Sequence, residues 1–136
     1  MLFDSSVLYA LADPADGYRG EAVQFAISHP EIVQIVPDVV LTEVTHLLNK
    51  FVGHHAIIRF LKAFPASDAQ LEPMSMPDIQ RAYEIMATYA ASRFDFVDCC
   101  IMALAERLNI TQVCTFDRRD FAIFNPAHCD FLELLP

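Results

Sequence analysis

Short apolar segments alternate along this chain with longer stretches of helical periodicity, and that alternation does most to narrow what it can fold into. Met1-Leu2-Phe3 is an apolar run cut off by Asp4-Ser5-Ser6, after which Val7, Leu8, Ala10 and Leu11 carry the spacing of a helix. Asp13-Pro14-Ala15-Asp16-Gly17 is a loop by its turn chemistry, and Gly20 to Ser28 forms the next helical stretch. Ile32 to Val36, β-branched and bounded by Pro30 and Pro37, reads as the second strand. From Asp38 a helix is expected to about Phe51, with Val40, Val44, Leu47, Leu48 and Phe51 on one stripe and Gly53 ending it. A further helix covers about His54 to Phe64, and Leu71 to Met74 is a brief third strand. Pro77 opens a helix aligned through Ile79, Ala82, Tyr83, Met86 and Ala90. Val97 to Leu108 is helical, Gln112 to Phe116 is an apolar strand, and Asp130 to Leu134 is a closing one.

Strands that are separated by helices pair through crossovers rather than hairpins, which gives a parallel sheet covered on both faces. The fold class is therefore α/β with a mostly parallel central sheet. At 136 residues, one domain spanning residues 1–136 is expected. In such a sheet the ligand site lies beyond the carboxyl ends of the strands, near the point where strand order reverses. Asp4 and Asp117 each directly follow an apolar strand, so both are expected at that edge.

Composition removes several alternatives. No apolar run approaches the roughly 18 residues of a membrane span, and no basic leader with a cleavage site opens the chain, so it reads as soluble, unexported and cytoplasmic. The four cysteines, Cys99, Cys100, Cys114 and Cys129, lack Cys-x-x-Cys spacing and read as reduced thiols. The five histidines form no metal-ligand pair on one helix, three glycines are too few for a phosphate-cradling loop, and no Gly-x-Ser-x-Gly elbow exists. An apolar share of 54% is high for so small a body, and part of it is expected in an interface. The net charge of −9 opposes nucleic-acid binding, which usually draws on phosphate neutralisation. Yet Arg93, Arg118 and Arg119 lie within two residues of Asp95 or Asp117, and divalent cations reverse the sign of an acidic pocket.

The acids carry the chemistry. Asp4 is placed to cap the first helix, and Asp117 to close a turn or cap a short helix, so each has a structural reading beside a functional one. Glu43 falls at the margin of the buried stripe of its helix rather than opposite it, the position of a boundary side chain or of a site residue. Asp98 is the sharpest signal: Val97, Ile101, Met102, Leu104, Ala105 and Leu108 define the inward arc of its helix, and Asp98 projects into the middle of that arc. An unpaired buried carboxylate costs several kcal/mol, roughly, whereas a helix N-terminus returns only about 0.3–1 kcal/mol. A bound divalent cation is the fuller compensation. Asp95, three residues earlier, is placed as the N-cap and as an auxiliary carboxylate. Ser5, Ser6 and Thr115 flank Asp4 and Asp117, where they can orient a carboxylate or satisfy turn backbone.

Phe3-Asp4-Ser5-Ser6, Leu41-Thr42-Glu43-Val44, Phe96-Val97-Asp98 running into Ile101–Leu108, and Thr115-Phe116-Asp117-Arg118-Arg119-Asp120-Phe121 together resemble the four acidic motifs of the PIN-domain family. Within it, they are similar to the bacterial VapC-type toxin ribonucleases of toxin–antitoxin pairs. The likeness covers essentially the whole chain, and Cys99-Cys100 departs from it where relatives carry small apolar residues. The resemblance implies a three-layer α/β/α sandwich. It implies Mg²⁺ or Mn²⁺ held by Asp4, Asp98 and Asp117, with Glu43 helping directly or through water, and it implies a homodimer and a cognate antitoxin. Hard oxygen ligands suit those cations, and the expected reaction is endonucleolytic cleavage of RNA with Arg93, Arg118 or Arg119 meeting flanking phosphates. Two other readings stand beside it: a structure-selective DNA nuclease or RNA-processing factor of the same family, and a non-catalytic acidic module that binds a basic partner.

Overall fold

The computed structural model describes all residues, 1–136. Leu2–Phe3 forms β1, the central strand, and the exclusion of both residues from solvent follows from partners on each edge. Leu2 pairs with Ile35 of β2 (Ile35–Pro37) on one side and with Val113 of β4 (Gln112–Cys114) on the other. β3 (Gln70–Glu72) extends the sheet beyond β2, and β5 (Glu133–Leu135) extends it beyond β4. The order is β3-β2-β1-β4-β5 and every pair is parallel.

Seven helices connect and cover the strands: α1 (Ser5–Ala12), α2 (Arg19–Ser28), α3 (Asp38–Phe51), α4 (His54–Ala63), α5 (Met76–Thr88), α6 (Phe96–Leu108) and α7 (Arg119–Ile123). Right-handed crossovers put α1 to α4 on one face, because β1, β2 and β3 succeed one another in one direction across the sheet. The return from β3 to β4 runs the opposite way and puts α5 and α6 on the other face. The result is the three-layer α/β/α arrangement, with α1 packed on α2 and α3, and α5 packed on α6. The sheet supplies Leu2, Val36 and Val113 to the core, and the helices supply Val40, Val44, Leu48, Ile85, Ile101 and Leu104.

The strands are shorter than their apolar runs. Ile32 to Gln34 precede the ladder, since the Ile32 N–H turns back to the His29 carbonyl and pairing with β1 and β3 begins at Ile35. The third strand is Gln70–Glu72 rather than Leu71 to Met74, and the last is Glu133–Leu135 rather than Asp130 to Leu134. The helix expected from Pro77 starts one residue earlier, because Ser75 accepts the Asp78 N–H while Asp78 accepts the Ser75 N–H, a reciprocal cap. Gly53 separates α3 from α4: its φ of 128° lies in the region open to glycine, and its N–H bonds the Leu48 carbonyl. All four cysteines are free thiols. No helix is long and apolar enough to cross a membrane.

Candidate active site

Strand order reverses between β1 and β4, and the carboxyl ends of these two neighbours bring together residues more than a hundred positions apart. Phe3 is in register with Cys114, and the Asp4 N–H bonds the Cys114 carbonyl at 3.0 Å. Asp4 and Thr115 are thereby the first residues beyond the sheet on adjacent strands. Asp4 is 2% exposed and caps α1. Its Oδ1 accepts from the Ser5 N–H at 2.6 Å, and its Oδ2 accepts from the Ser6 hydroxyl at 2.7 Å and the Thr115 hydroxyl at 2.8 Å. The Thr115 oxygen also lies 3.0 Å from the Asp117 carbonyl, but it has one hydrogen to give, and the charged acceptor is the stronger partner. The same oxygen accepts the Asp117 N–H at 3.0 Å, so one buried hydroxyl ties the first acid to the loop that carries the last.

Glu43 on α3, Asp95 and Asp98 at the start of α6, and Asp117 after β4 complete the gathering. With Asp4, Ser5 and Ser6 they line one cavity of about 290 Å³ whose single apolar residue is Leu47 and which has no basic side chain. Asp95 and Asp117 are exposed, Glu43 is partly buried, and Asp98 is 8% exposed. Asp95 caps α6, accepting the Val97 N–H at 2.9 Å. Thus Asp4 and Asp95 fill their capping roles and face the shared cavity as well.

Asp98 differs from the others because it is buried and its carboxyl accepts no hydrogen bond. Burial, then the charges of Asp4, Asp120, Asp95 and Asp117, push its carboxyl up to about 9, so it keeps its proton at neutral pH. Glu43 is also raised, by burial first and then by Asp4, Asp95 and Asp117, with partial relief from the Ser5 hydroxyl. A carboxyl held protonated by burial first and by neighbouring acids second is electrostatically unfinished, and a hard divalent cation among oxygen donors is the group that completes it. As the side chains stand, no three of them converge into a finished metal cage. The donor chemistry nevertheless fits Mg²⁺ or Mn²⁺: all ligand atoms are oxygens, the charge is uncompensated, and Asp98 has no competing donor to give up.

The three arginines are distributed unevenly. Arg93 and Arg119 line an adjoining cavity of about 480 Å³ that shares Asp95, Asp98 and Asp117 with the first. Arg118 lines neither, because its guanidinium donates to the Pro136 carbonyl at the end of the chain. Asp120, named in the sequence only as part of the last motif, is 5% exposed and accepts the Asp95 N–H at 3.0 Å and the Arg119 Nε–H at 2.8 Å. It fastens the entrance of α6 to α7 and adds to the charge around Asp98. Its place three residues after Asp117, in the first turn of α7, was the available signal.

The family model described as PIN domain matches residues 1–124. A curated relative, Ribonuclease VapC26 of Mycobacterium tuberculosis, is 27% identical over 126 residues, covering 93% of each chain. Among solved structures, Mycobacterium tuberculosis VapC20, described as a sarcin-ricin loop cleaving toxin, aligns with a TM-score of 0.84 at 24% identity over 99% of this chain and 98% of its own. A toxin–antitoxin complex from Klebsiella pneumoniae aligns with a TM-score of 0.68 at 23% identity, covering 90% of this chain and 91% of the other.

Proposed function

The chain belongs to the PIN-domain family, and from that premise we propose that it is a metal-dependent endoribonuclease, the toxin of a toxin–antitoxin pair. The observation that carries the reading is Asp98: buried, without a donor, and raised to about 9 among four other acids at the switch point of the sheet. The relative named a ribonuclease supports the same class of reaction.

In this reading Asp4, Asp98 and Asp117 hold Mg²⁺ or Mn²⁺, and Glu43 assists directly or through water. The bound cation supplies charge neutralisation at the phosphoryl oxygen and makes water a stronger nucleophile near neutral pH. The protein's own groups do the positioning. Ser5, Ser6 and Thr115 keep the Asp4 carboxylate in one orientation through the hydrogen bonds described above. Asp95, fixed by Asp120, presents an auxiliary carboxylate at the rim, and Glu43 orients the attacking water. Arg93 and Arg119 sit beside the acids where the flanking phosphates of a bound strand pass, which answers the net charge of −9 locally.

The protein works in the cytoplasm as a single nuclease domain and a homodimer, and its apolar surface suits protein partners. Ile58 and Leu61 are 57% and 46% exposed, and an apolar groove lined by Leu8, Leu11, Phe60 and Phe64 lies away from the acids. Such surface fits the second protomer and the antitoxin.

The test is cleavage of a mixed RNA pool by inhibitor-free protein in Mg²⁺ or Mn²⁺, with Asp98→Asn as the comparison. Activity that requires metal and disappears in the variant is expected. Clean wild-type protein inert on RNA in both metals refutes the proposal, and cleavage confined to single-stranded or flap DNA moves the chain to the other nuclease reading.

A further inference from the structure

Past Ser6 and Asp117 the acidic cavity continues into a hollow of about 380 Å³ with a different character. Its walls are Tyr9, Tyr18, Leu47, Phe51, Phe116 and Asp16, and Ser6, Leu47 and Asp117 belong to both spaces. The ring of Tyr18 lies against that of Phe116 with centroids 4.4 Å apart and planes 16° from parallel. Tyr18 is still 54% exposed, so with Phe116 on one face much of the remaining ring surface meets water. Phe51, 63% exposed, closes the far side with its ring edge-on to Tyr9 at 6.5 Å.

This platform is held in register with the acids. Phe116 stands between Thr115 and Asp117 in the chain, and its N–H donates to the Ser6 hydroxyl at 3.0 Å, which in turn donates to Asp4 Oδ2 at 2.7 Å. A stacked aromatic pair fixed relative to a reacting centre offers a flat surface at little entropic cost. The charges decide what fits there. The only carboxylates on its walls are Asp16 and Asp117, with no cation, which disfavours a phosphate and admits a planar group that is neutral or cationic; continuity with the acidic cavity favours the base of a strand whose phosphate lies there. Every nucleobase has such a face, and stacking on aromatic side chains is how unpaired strands are held without reading their sequence.

We infer that the Tyr18–Phe116 stack is a base-binding subsite, on which the unpaired nucleobase adjoining the cleaved bond of the RNA rests while its phosphate lies at the acids. The inference deepens the ribonuclease reading and rests on it. The subsite requires that the base beside the cut be unpaired, because a paired base cannot leave its stack to reach Tyr18 without the cost of unpairing. Tyr18 binds rather than reacts, so its removal falls on KM.

The experiment uses a short single-stranded RNA that the wild-type protein cleaves, with each nucleotide near the cut replaced in turn by an abasic one. For the wild type, one abasic position beside the cleaved bond is expected to raise KM by roughly 5- to 100-fold. Tyr18→Ala should raise KM on intact RNA by a similar factor and become indifferent to that abasic position, the non-additivity expected of a broken contact. Tyr18→Phe, which keeps the ring, restores both. The Tyr18→Ala factor should persist as salt is raised, unlike phosphate contacts. An unchanged KM for Tyr18→Ala, or an abasic penalty as large in the variant as in the wild type, overturns the subsite and leaves the platform to a protein side chain. Wild-type protein that cleaves no RNA overturns the ribonuclease reading instead, and this inference with it.

Discussion

Replacing Asp98 by asparagine removes an ionisable group from a place where the fold cannot tolerate its charge, so the metal-free protein should become more stable as it loses activity. The carboxyl is pushed up to about 9 by burial and by Asp4, Asp120, Asp95 and Asp117, whereas in the unfolded chain it has its ordinary value near 4. Because the folded value is the higher one, the folding stability associated with this group is fully present below about pH 4 and is lost as pH rises towards about 9. At pH 7 folding must take up a proton across about three units, and at about 1.4 kcal/mol per unit the cost is at most about 4 kcal/mol. Asparagine keeps the size of the side chain, carries no charge, and brings an amide that can donate to the surrounding carboxylates. Urea unfolding followed by circular dichroism in a metal chelator is the assay. Asp98→Asn is expected to exceed the wild type by roughly 1–4 kcal/mol at pH 7 to 8, with the gap closing towards pH 4. RNA cleavage falls by at least about 100-fold. With Mn²⁺ at 100 times its Kd the wild type gains about 2.7 kcal/mol by mass action and the variant much less. A variant that is no more stable than the wild type at pH 8 in chelator, or a difference that does not change with pH, refutes the argument that like charge at Asp98 awaits a cation.

Other perturbations test the frame around the site. Arg107 bonds Asp78 and Glu72, each at 2.7 Å, and Asp78 is 2% exposed; burial alone would raise the Asp78 carboxyl, but Ser75 and Arg107 bring it below its usual value. Arg107→Ala should therefore cost roughly 1–3 kcal/mol in urea unfolding by leaving Asp78 short of a partner, against under about 1 kcal/mol for Glu72→Gln. The Asp78 contribution is present above the ordinary carboxylate pKa and is lost as pH falls through the lowered one, so the Arg107→Ala penalty shrinks in acid. Cys99, Cys100 and Cys114 are buried, and burial pushes each thiol up to about 12. A thiol reagent at pH 8 should thus titrate one group promptly, Cys129, and all four only in denaturant. At Gly53 a Cβ would meet the His55 ring at 3.2 Å on a backbone with φ of 128°, so Gly53→Ala should lower stability by about 1–3 kcal/mol, read as a shift of the urea midpoint.

Much of the site could be read along the chain because its residues sit where local pattern and chemistry disagree. Asp98 interrupts the inward arc of α6, and Asp4 directly follows β1 where the parallel sheet opens, signals set by a few adjacent residues; Asp117 was expected directly after its strand but stands three residues past the end of β4 at Cys114. Asp95 was legible as a cap for the same reason, as was the end of α3 at Gly53. Strand limits were less so, since Ile32 to Gln34 look like strand, yet residue-to-residue pairing with β1 and β3 starts at Ile35, with the Gln34 carbonyl accepting the Gln70 N–H at its threshold. Asp120 was passed over because its meaning depends on the Asp95 N–H, a partner 25 residues away. Arg118, placed by sequence beside Asp117, turns instead to the Pro136 carbonyl.

The amino-acid pattern by itself determined the α/β layering and the inward place of Asp98, because periodicity and the cost of burying charge act through near neighbours. Only the tertiary structure decided that β4 lies against β1, that Thr115 thereby reaches Asp4, and that Tyr18 stacks on Phe116 beside them. Those contacts follow from strand order and register, which hydrogen bonding and packing settle across the whole chain and no short stretch of it encodes.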